Sequence, residues 1–559
     1  MTATILGPGS SDSVTSGSGS GSKGQGSQPL PESNHYVLGL PVPVTASAYV
    51  GATFASVTMS VLFKSFWCVV FASAKMMEPF YQLAKEGASA TAKASVLRPY
   101  LQGGIDWPDL NPANRYWVMF LTTVVSISSS LQASLASEAM TVQAGATCNT
   151  ENGTKLCDPV WVINSAVVRG LQTTLILVAL AIAALMWLNW NRPSGITSYP
   201  CSIASMASLL SNSDEELTES LRRIDPDAKD GVVEEALKGK LLSFKRTEAH
   251  SGLNVVGIVV QNEGVESSNR GVESDAATSG HISSSLLSRI PWGKGYIFVI
   301  TILHMALFGV ILSFVLAGND IYEVNLLGAD GSQHLTAVKW KFLDGTKFGP
   351  RFFMTLIVSF LFISFWEMVE LSVRVMVPYR RLQKRNTKSR HLFTMYLHGV
   401  PFTSMFKALW HRNWYHAFIA FITVLSYVLL VLIAGVPYNY GQIKNVSFYS
   451  SVTSLVILFI MIVGMVSLLF WQTGNPKMPR KPDTLVNTWL LMCSSRFTAD
   501  FKGRPLAEVE DEIDHGHRRY WFGKAMGVDE VERWMIEVEG DQASKRLLRV
   551  HKPRQDSYF

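Results

Sequence analysis

Charge is scarce in this chain. Of its 559 residues only 16% are Asp, Glu, Lys or Arg, while 48% are hydrophobic; soluble proteins carry about a quarter charged residues. That shortfall excludes a string of water-solvated domains and makes lipid the solvent for most of the chain. Cysteine is scarce too. Five residues with no Cys-x-x-Cys pair exclude a zinc ribbon or a thioredoxin-like site. Catalytic signatures are missing: there is no Walker A loop, His-Glu-x-x-His, Gly-x-Ser-x-Gly or EF-hand loop. No enzyme activity, cofactor or metal site is therefore expected, and the net charge of +6 is too modest to suggest a nucleic-acid partner. His515 and His517 stand beside Asp511, Glu512 and Asp514, a pattern that reads as the solvated face of a charged helix rather than a ligand set. The opening residues are Ser/Gly-rich and almost devoid of large apolar side chains. Residues 1–45 are expected to form a disordered tail, with no basic segment, apolar core and cleavage site to make a signal peptide.

What the chain has in quantity is apolar runs of about 20 residues, the length that crosses roughly 30 Å of hydrocarbon. Seven are predicted, near Tyr49–Ala72, Tyr116–Ala136, Leu171–Trp190, Tyr296–Ala317, Phe352–Leu371, Ala417–Val436 and Val452–Trp471. The expected class is an all-α polytopic membrane protein. The second run is interrupted by Ser126, Ser128, Ser129, Ser130 and Gln132, a composition that suits close packing between helices.

One stretch occurs twice. Leu62–Lys85 and Leu361–Lys384 align without a gap at an offset of 299, and 11 of the 24 positions are identical, among them Ser65/Ser364, Phe66/Phe365, Trp67/Trp366 and Pro79/Pro378. In each copy an apolar run ends in an aromatic cluster, followed by a basic residue and then a proline that is expected to break the helix. Arg115-Tyr116-Trp117 and Arg412-Asn413-Trp414 open the following helices. Later, Pro200-Cys201-Ser202-Ile203 and Pro482-Asp483-Thr484-Leu485 each lead into a short apolar helix. The reading is two parallel three-helix repeats joined by a fourth helix.

Orientation follows from charge. Nine Lys/Arg and no acidic residue lie between Arg374 and Arg412, which puts that loop in the cytosol. The N-terminus then lies outside and the C-terminus in the cytosol. The external loops carry the sequons of Asn152 and Asn445 and the closely spaced pair Cys148 and Cys157, all suited to an oxidising exterior. The expected organisation continues with a first membrane repeat over 46–212, a cytosolic helical segment and linker over 213–291, a connecting helix and external hairpin over 292–348, a second repeat over 349–499, and a charged, helix-rich cytosolic segment over 500–559. Within these, Val232–Arg246 is read as helical, and Tyr322–Leu327 with His334–Phe342 as the external hairpin.

Three stretches carry a family resemblance: Met77-Glu78-Pro79-Phe80-Tyr81-Gln82-Leu83, the run from Pro200 to Leu210, and the run from Met478 to Leu485. They resemble the filamentous-fungal membrane-protein family catalogued as domain of unknown function 3433. The resemblance implies a duplicated multi-pass membrane protein and no activity, since the family has no assigned catalytic or binding residues.

Charged residues within spans are the strongest functional pointers, because each is costly unless paired or hydrated. Lys64 lies deep in the first run, and Glu367 and Glu370 lie in the fifth. Glu367 occupies the repeat position of Cys68, so Lys64 and Glu367 are expected to pair across a pseudo-two-fold axis, and Glu370 to bind Arg374 at i,i+4. His304 reads as a helix–helix packing contact. The structural reading of these charges, a register-fixing ion pair, is weighed above an ion or proton pathway. The favoured function is a structural or scaffolding protein of a fungal plasma membrane or endomembrane, holding cytosolic protein partners. A transporter or channel with Lys64, Glu367 and Glu370 in its pathway is the alternative. A seven-helix receptor ranks last, for want of receptor motifs and because of the duplication. The Arg374–Arg412 loop is a candidate contact for anionic lipid headgroups.

Overall fold

The computed structural model describes residues 35–37, 46–84, 90–100, 116–151, 154–261, 294–316, 350–384, 387–393, 399–436, 444–473 and 478–539, apart from 197–198, 201, 226–227, 229, 249–253, 479 and 516–517. The expected external hairpin between residues 322 and 342, the expected linker at Gly264–Ser284 and residue Asn152 lie outside the described residues.

Seven helices are long and apolar enough to cross a membrane, and each coincides with a predicted run. They are α1 (Ala46–Leu83), α2 (Trp117–Glu138), α3 (Ser165–Asn189), α7 (Lys294–Leu316), a fifth built from α8 (Pro350–Ile357) and α9 (Ser364–Gln383), α11 (Trp414–Ile433) and α12 (Lys444–Thr473). Between α8 and α9, Val358–Ile363 forms a π-helical segment. Trp117 and Trp414, marked by the two Arg-x-Trp motifs, are the first residues of α2 and α11.

The apolar window of α2 is 67% buried, against 17% for α3. The serines explain the difference. Thr122, Ser129, Ser130 and Ser137 each turn a hydroxyl back to a carbonyl three or four residues earlier, so they satisfy themselves while staying small enough to let neighbours approach. Helix α2 packs against α1, α3 and α8; α1 in turn meets α11, and α9 also packs on α11. The first span thus touches the sixth while the fifth touches the second.

The prolines do not break their helices. Pro79 lies inside α1 and Pro378 inside α9. A proline forfeits one backbone bond, but the turns beyond are held by packing: Phe80, Leu83, Tyr379 and Leu382 are all buried. Helix α1, at about 57 Å for its length, therefore leaves the hydrocarbon and enters a folded domain.

That domain corrects the all-α expectation. On the side reached by the C-terminal ends of α1, α3 and α9 lie α4 (Ile203–Ser211), α5 (Glu215–Arg222), α6 (Asp230–Ala236), the hairpin β5 (Leu241–Glu248) and β6 (Asn254–Gln261), α13 (Leu485–Leu490), α14 (Leu506–His515) and the hairpin β8 (Arg519–Met526) and β9 (Glu532–Val538). Each hairpin gains a third strand from the loop after the first or fifth span: β2 (Ala90–Thr91) pairs with β5, and β7 (Thr387–Lys388) with β8. Helical periodicity was expected through Arg246, yet the helix stops at Ala236. The Val/Ile run of β6 supplies the partner that draws Leu241–Glu248 into a strand, tertiary pairing overriding local pattern. The expected helix-rich C-terminal segment is likewise one helix followed by a hairpin, with its Tyr520-Trp521-Phe522-Gly523 knot in β8.

The two hairpins share one core. Phe80 of α1 lies against Phe244 of β5 with ring centroids 6.5 Å apart, and Tyr379 of α9 meets Phe522 of β8 at 5.4 Å. Trp489, Phe497 and Phe501 fill the space between. Backbone bonds stitch the halves: Tyr100 N–H to Asp483 O at 3.0 Å and Val486 N–H to Val96 O at 3.2 Å. Asn212 adds side-chain bonds, donating to Phe501 O and accepting from Gly503 N–H at 2.7 Å. The short helices expected after the Pro200 and Pro482 motifs are present, and their N-termini are capped: Ser202 accepts from Ser205 N–H and Thr484 from Asn487 N–H.

On the opposite side α2 and α3 are joined by a long hairpin, β3 (Met140–Glu151) and β4 (Thr154–Asn164), flanked by β1 (His35–Val37). Asn152-Gly153, between the strands, is a hairpin-turn dipeptide in the sequence. Reading it only as part of a sequon missed that signal.

Gly257 in β6 is the tightest point of the domain: a Cβ there would lie 1.7 Å from the Asn212 carbonyl oxygen. Gly257→Ala is expected to destabilise the domain by about 1–3 kcal/mol. Faster maleimide labelling of Cys493, 1% exposed in the native core, reads the effect in the full-length protein.

Candidate functional site

The intramembrane charges gather where the two halves of the bundle meet. Lys64 is 4% exposed and donates from Nζ to the Ser359 carbonyl at 2.5 Å and to Ser359 Oγ at 3.2 Å. Ser359 belongs to the π-helical segment, a local change of hydrogen-bond register that occurs frequently at functional sites. Its hydroxyl donates in turn to Ser130 O of α2 at 3.0 Å. One contact chain thus runs from α1 through the fifth span to α2.

The expected Lys64–Glu367 ion pair gives way to this arrangement. Glu367 is partly buried and accepts a 2.5 Å hydrogen bond from the Tyr427 hydroxyl of α11, and the Cys68 thiol of α1 also bonds to it. The Ser359 carbonyl answers the lysine, and the phenol answers the carboxylate. Cys68 and Glu367, which share a repeat position, meet directly.

One turn further along α9, Glu370 forms the expected pair with Arg374: Oε1 accepts from Nε at 3.0 Å and from Nη2 at 2.5 Å. Sequence reasoning missed the rest of this cluster. Ser404, on α10 (Pro401–Trp410), donates to the same oxygen at 2.9 Å, and His416 Nε2 lies 3.3 Å away. Arg374 Nη1 also donates to Gly399 O at 3.3 Å. Glu370 is therefore met by an uncharged hydroxyl as well as by a charge, and Glu367 by a phenol and a thiol, which is how a buried carboxylate keeps its lone pairs satisfied.

His304 of α7 is fully buried, as a packing contact requires. Its ring stacks on Phe362 with centroids 3.8 Å apart. Trp366 Nε1 can only donate, so Nε2 of His304 accepts from it at 3.4 Å and Nδ1–H donates to Ile300 O at 2.8 Å. This tautomer anchors the fourth span to the fifth.

Towards the domain side, Arg192 grips Glu78 with both guanidinium nitrogens at 2.8 and 2.9 Å and covers the Tyr81 ring at 4.4 Å. Arg380, at the repeat position of Tyr81, covers Trp471 at 3.6 Å. The ends of α1 and α3, and of α9 and α12, are thus clasped by the same kind of cation–π contact with cation and ring exchanged. Within the domain, burial pushes the Cys493 thiol pKa up, so it stays protonated and is a poor nucleophile. His515 closes α14, and neither its side chain nor that of His517 lies among the described residues. Among the described residues, no group of three or more His, Cys, Asp or Glu is placed to hold a metal ion.

Removing Glu370 strands Arg374. Glu370→Ala is expected to cost about 3–5 kcal/mol and to lower the thermal midpoint in detergent. His416→Ala, which removes a single hydrogen-bond partner, is expected to cost about 1–3 kcal/mol. Lys64→Met, replacing a buried cation by an apolar chain of similar length, should leave the midpoint unchanged or raised.

No curated protein and no solved structure matches the chain. Residues 50–141 and 348–438, which hold Lys64 and Cys68 in one case and Ser359, Glu367, Glu370, Ser404 and Tyr427 in the other, each match the model of a family described as protein of unknown function (DUF3433).

Proposed function

We propose that this integral membrane protein is structural, a scaffold of a fungal plasma membrane or endomembrane, built by duplication of a three-helix unit with its own domain-side hairpin. The observation that carries the proposal is the pairing of intramembrane charge: Lys64 and Glu370 are held by neighbouring protein groups in the packed interface between the halves. That is the arrangement of a register lock. Duplication is supported by the reciprocal packing of first span on sixth and fifth on second, by the matching caps at Ser202 and Thr484, and by the third strands β2 and β7 that reach each hairpin from corresponding loops. On this reading the shared domain lies in the cytosol and offers the surface on which protein partners assemble, while β3 and β4 lie outside.

A second reading, an ion or proton carrier, is favoured by one observation: Glu367 is only partly buried and sits one turn below a π segment, a feature frequent at functional sites.

The external placement of β3 and β4 carries its own support. Their register sets Cys148 directly opposite Cys157, the cross-strand neighbour relation within which a disulfide forms. Of the two sequons Asn152 is the favoured acceptor. Asn445 lies in the first turn of α12, and the hydroxyl residue of its sequon, Ser447, is fully buried.

A tagged copy expressed at native level is expected to concentrate at discrete membrane zones such as growing tips or septa, and Lys64→Met is expected to concentrate there equally. An even distribution, together with proton flux in proteoliposomes that Glu367→Gln abolishes, would replace the scaffold by the carrier. Orientation has a separate readout: Asn152→Gln should remove a glycosidase-sensitive mobility shift, and Cys148 and Cys157 should take up maleimide only after reduction.

A further inference from the structure

Helix α10 exposes what the rest of the domain side hides. Pro401, Ser404 and Ala408 are buried against α11, while Phe402 is 54%, Phe406 53%, Leu409 37% and Trp410 87% exposed. At helical spacing these four form one stripe, with Lys407 on its flank and His411 and Arg412 at its end. Phe402 and Phe406 pack edge to face at 5.0 Å, so the stripe is preformed.

The helix is also clamped in this pose. Ser404 is bonded to Glu370 and Arg374 to Gly399 O. At its C-terminal end Arg381 donates to His411 O at 2.5 Å and to Asn413 Oδ1 at 3.0 Å. Arg412 adopts a left-handed φ of 53°, turning the chain from α10 into the sixth span within three residues.

The level of the helix is marked by its neighbours. Trp414 begins the sixth span 70% exposed, Trp117 begins the second 50% exposed, and Trp187 and Trp190 close the third 84% and 80% exposed. Exposed tryptophans at the domain-side ends of three spans mark a membrane–water boundary, and Trp410 lies four residues from Trp414. The segment between α9 and α11 that carries α10 has six Lys/Arg (Lys384, Arg385, Lys388, Arg390, Lys407 and Arg412) and no acidic residue, complementary to an anionic surface.

We infer that α10 is an in-plane membrane helix that inserts Phe402, Phe406, Leu409 and Trp410 into the domain-side leaflet and sets Lys407 and Arg412 against anionic lipid headgroups. It rests on the membrane character of the chain and not on the scaffold reading. The apolar stripe is continuous with the lipid-facing surface of the sixth span, and the bilayer covers it without a partner protein. The cluster of Glu370, Arg374, Ser404 and His416 then acquires a second role, holding the helix at the angle that keeps this face outward.

The test uses full-length protein reconstituted into phosphatidylcholine vesicles with and without phosphatidylserine. Nitroxides are attached at Phe406→Cys and Trp410→Cys, with the identically treated parent protein subtracted. At both positions relaxation by oxygen should exceed relaxation by a water-soluble nickel chelate several-fold, and Lys407→Glu should reduce that ratio more in phosphatidylserine vesicles than in neutral ones. Nickel access equal to or above oxygen would overturn the inference by placing the face in water. Protection from both reagents would overturn it as well, by placing a protein partner or a second copy on the stripe. Thr403→Cys, at the edge of the stripe and making no contact with the Glu370 cluster, serves as a second site should Trp410→Cys fold poorly.

Discussion

A cation buried between membrane helices must be answered by another polar group, and the way Lys64 is answered sets the register of the bundle. Its ammonium reaches a backbone carbonyl in the π segment of the fifth span, and the same serine reaches α2 through its hydroxyl. An apolar interface would tolerate sliding, because lipid and leucine are equally good neighbours for leucine. A charge whose acceptors both belong to one residue does not. Glu367 with Tyr427 and Glu370 with Arg374 and Ser404 then repeat the constraint about two and three turns along the helix, so the interface between the halves is pinned at three levels.

The same helices carry a second, water-soluble core. Helices α1 and α9 run through their prolines into the domain, where Phe80 and Tyr379 each pack on a ring of the hairpin beneath. The bilayer bundle and the domain are therefore not separate bodies joined by linkers. They share continuous helices, and the domain core is completed only when both hairpins are present. Aromatic rings from both halves are buried in one cluster, with backbone bonds at Tyr100 and Val486 crossing between them, so the halves share one contiguous core.

Much of this was legible in the residues. The apolar helices appeared where apolar length demanded them, the tryptophans opened α2 and α11, and short helices followed the Pro200 and Pro482 motifs, because these signals act within a few residues of themselves. The pairing of Glu370 with Arg374 was legible for the same reason, being one helical turn. Ser404 and His416 were not: they approach Glu370 from another helix, and nothing local marks a serine as the partner of a distant carboxylate. The hairpins β5–β6 and β8–β9 were missed because half of each strand reads as well for helix as for sheet until its partner is placed beside it.

The sequence by itself determined that seven stretches are long and apolar enough to cross a membrane and that the 62–85 stretch recurs at 361–384, since hydrophobic length and spacing are properties of composition along a line. Only the tertiary structure decided that Lys64 would be met by a serine carbonyl rather than by Glu367. It likewise decided that prolines would sit inside helices, and that a short basic loop helix would turn its aromatic face outward. Each outcome depends on which groups arrive at one place in space, and a buried charge takes the nearest acceptor the packed backbone presents.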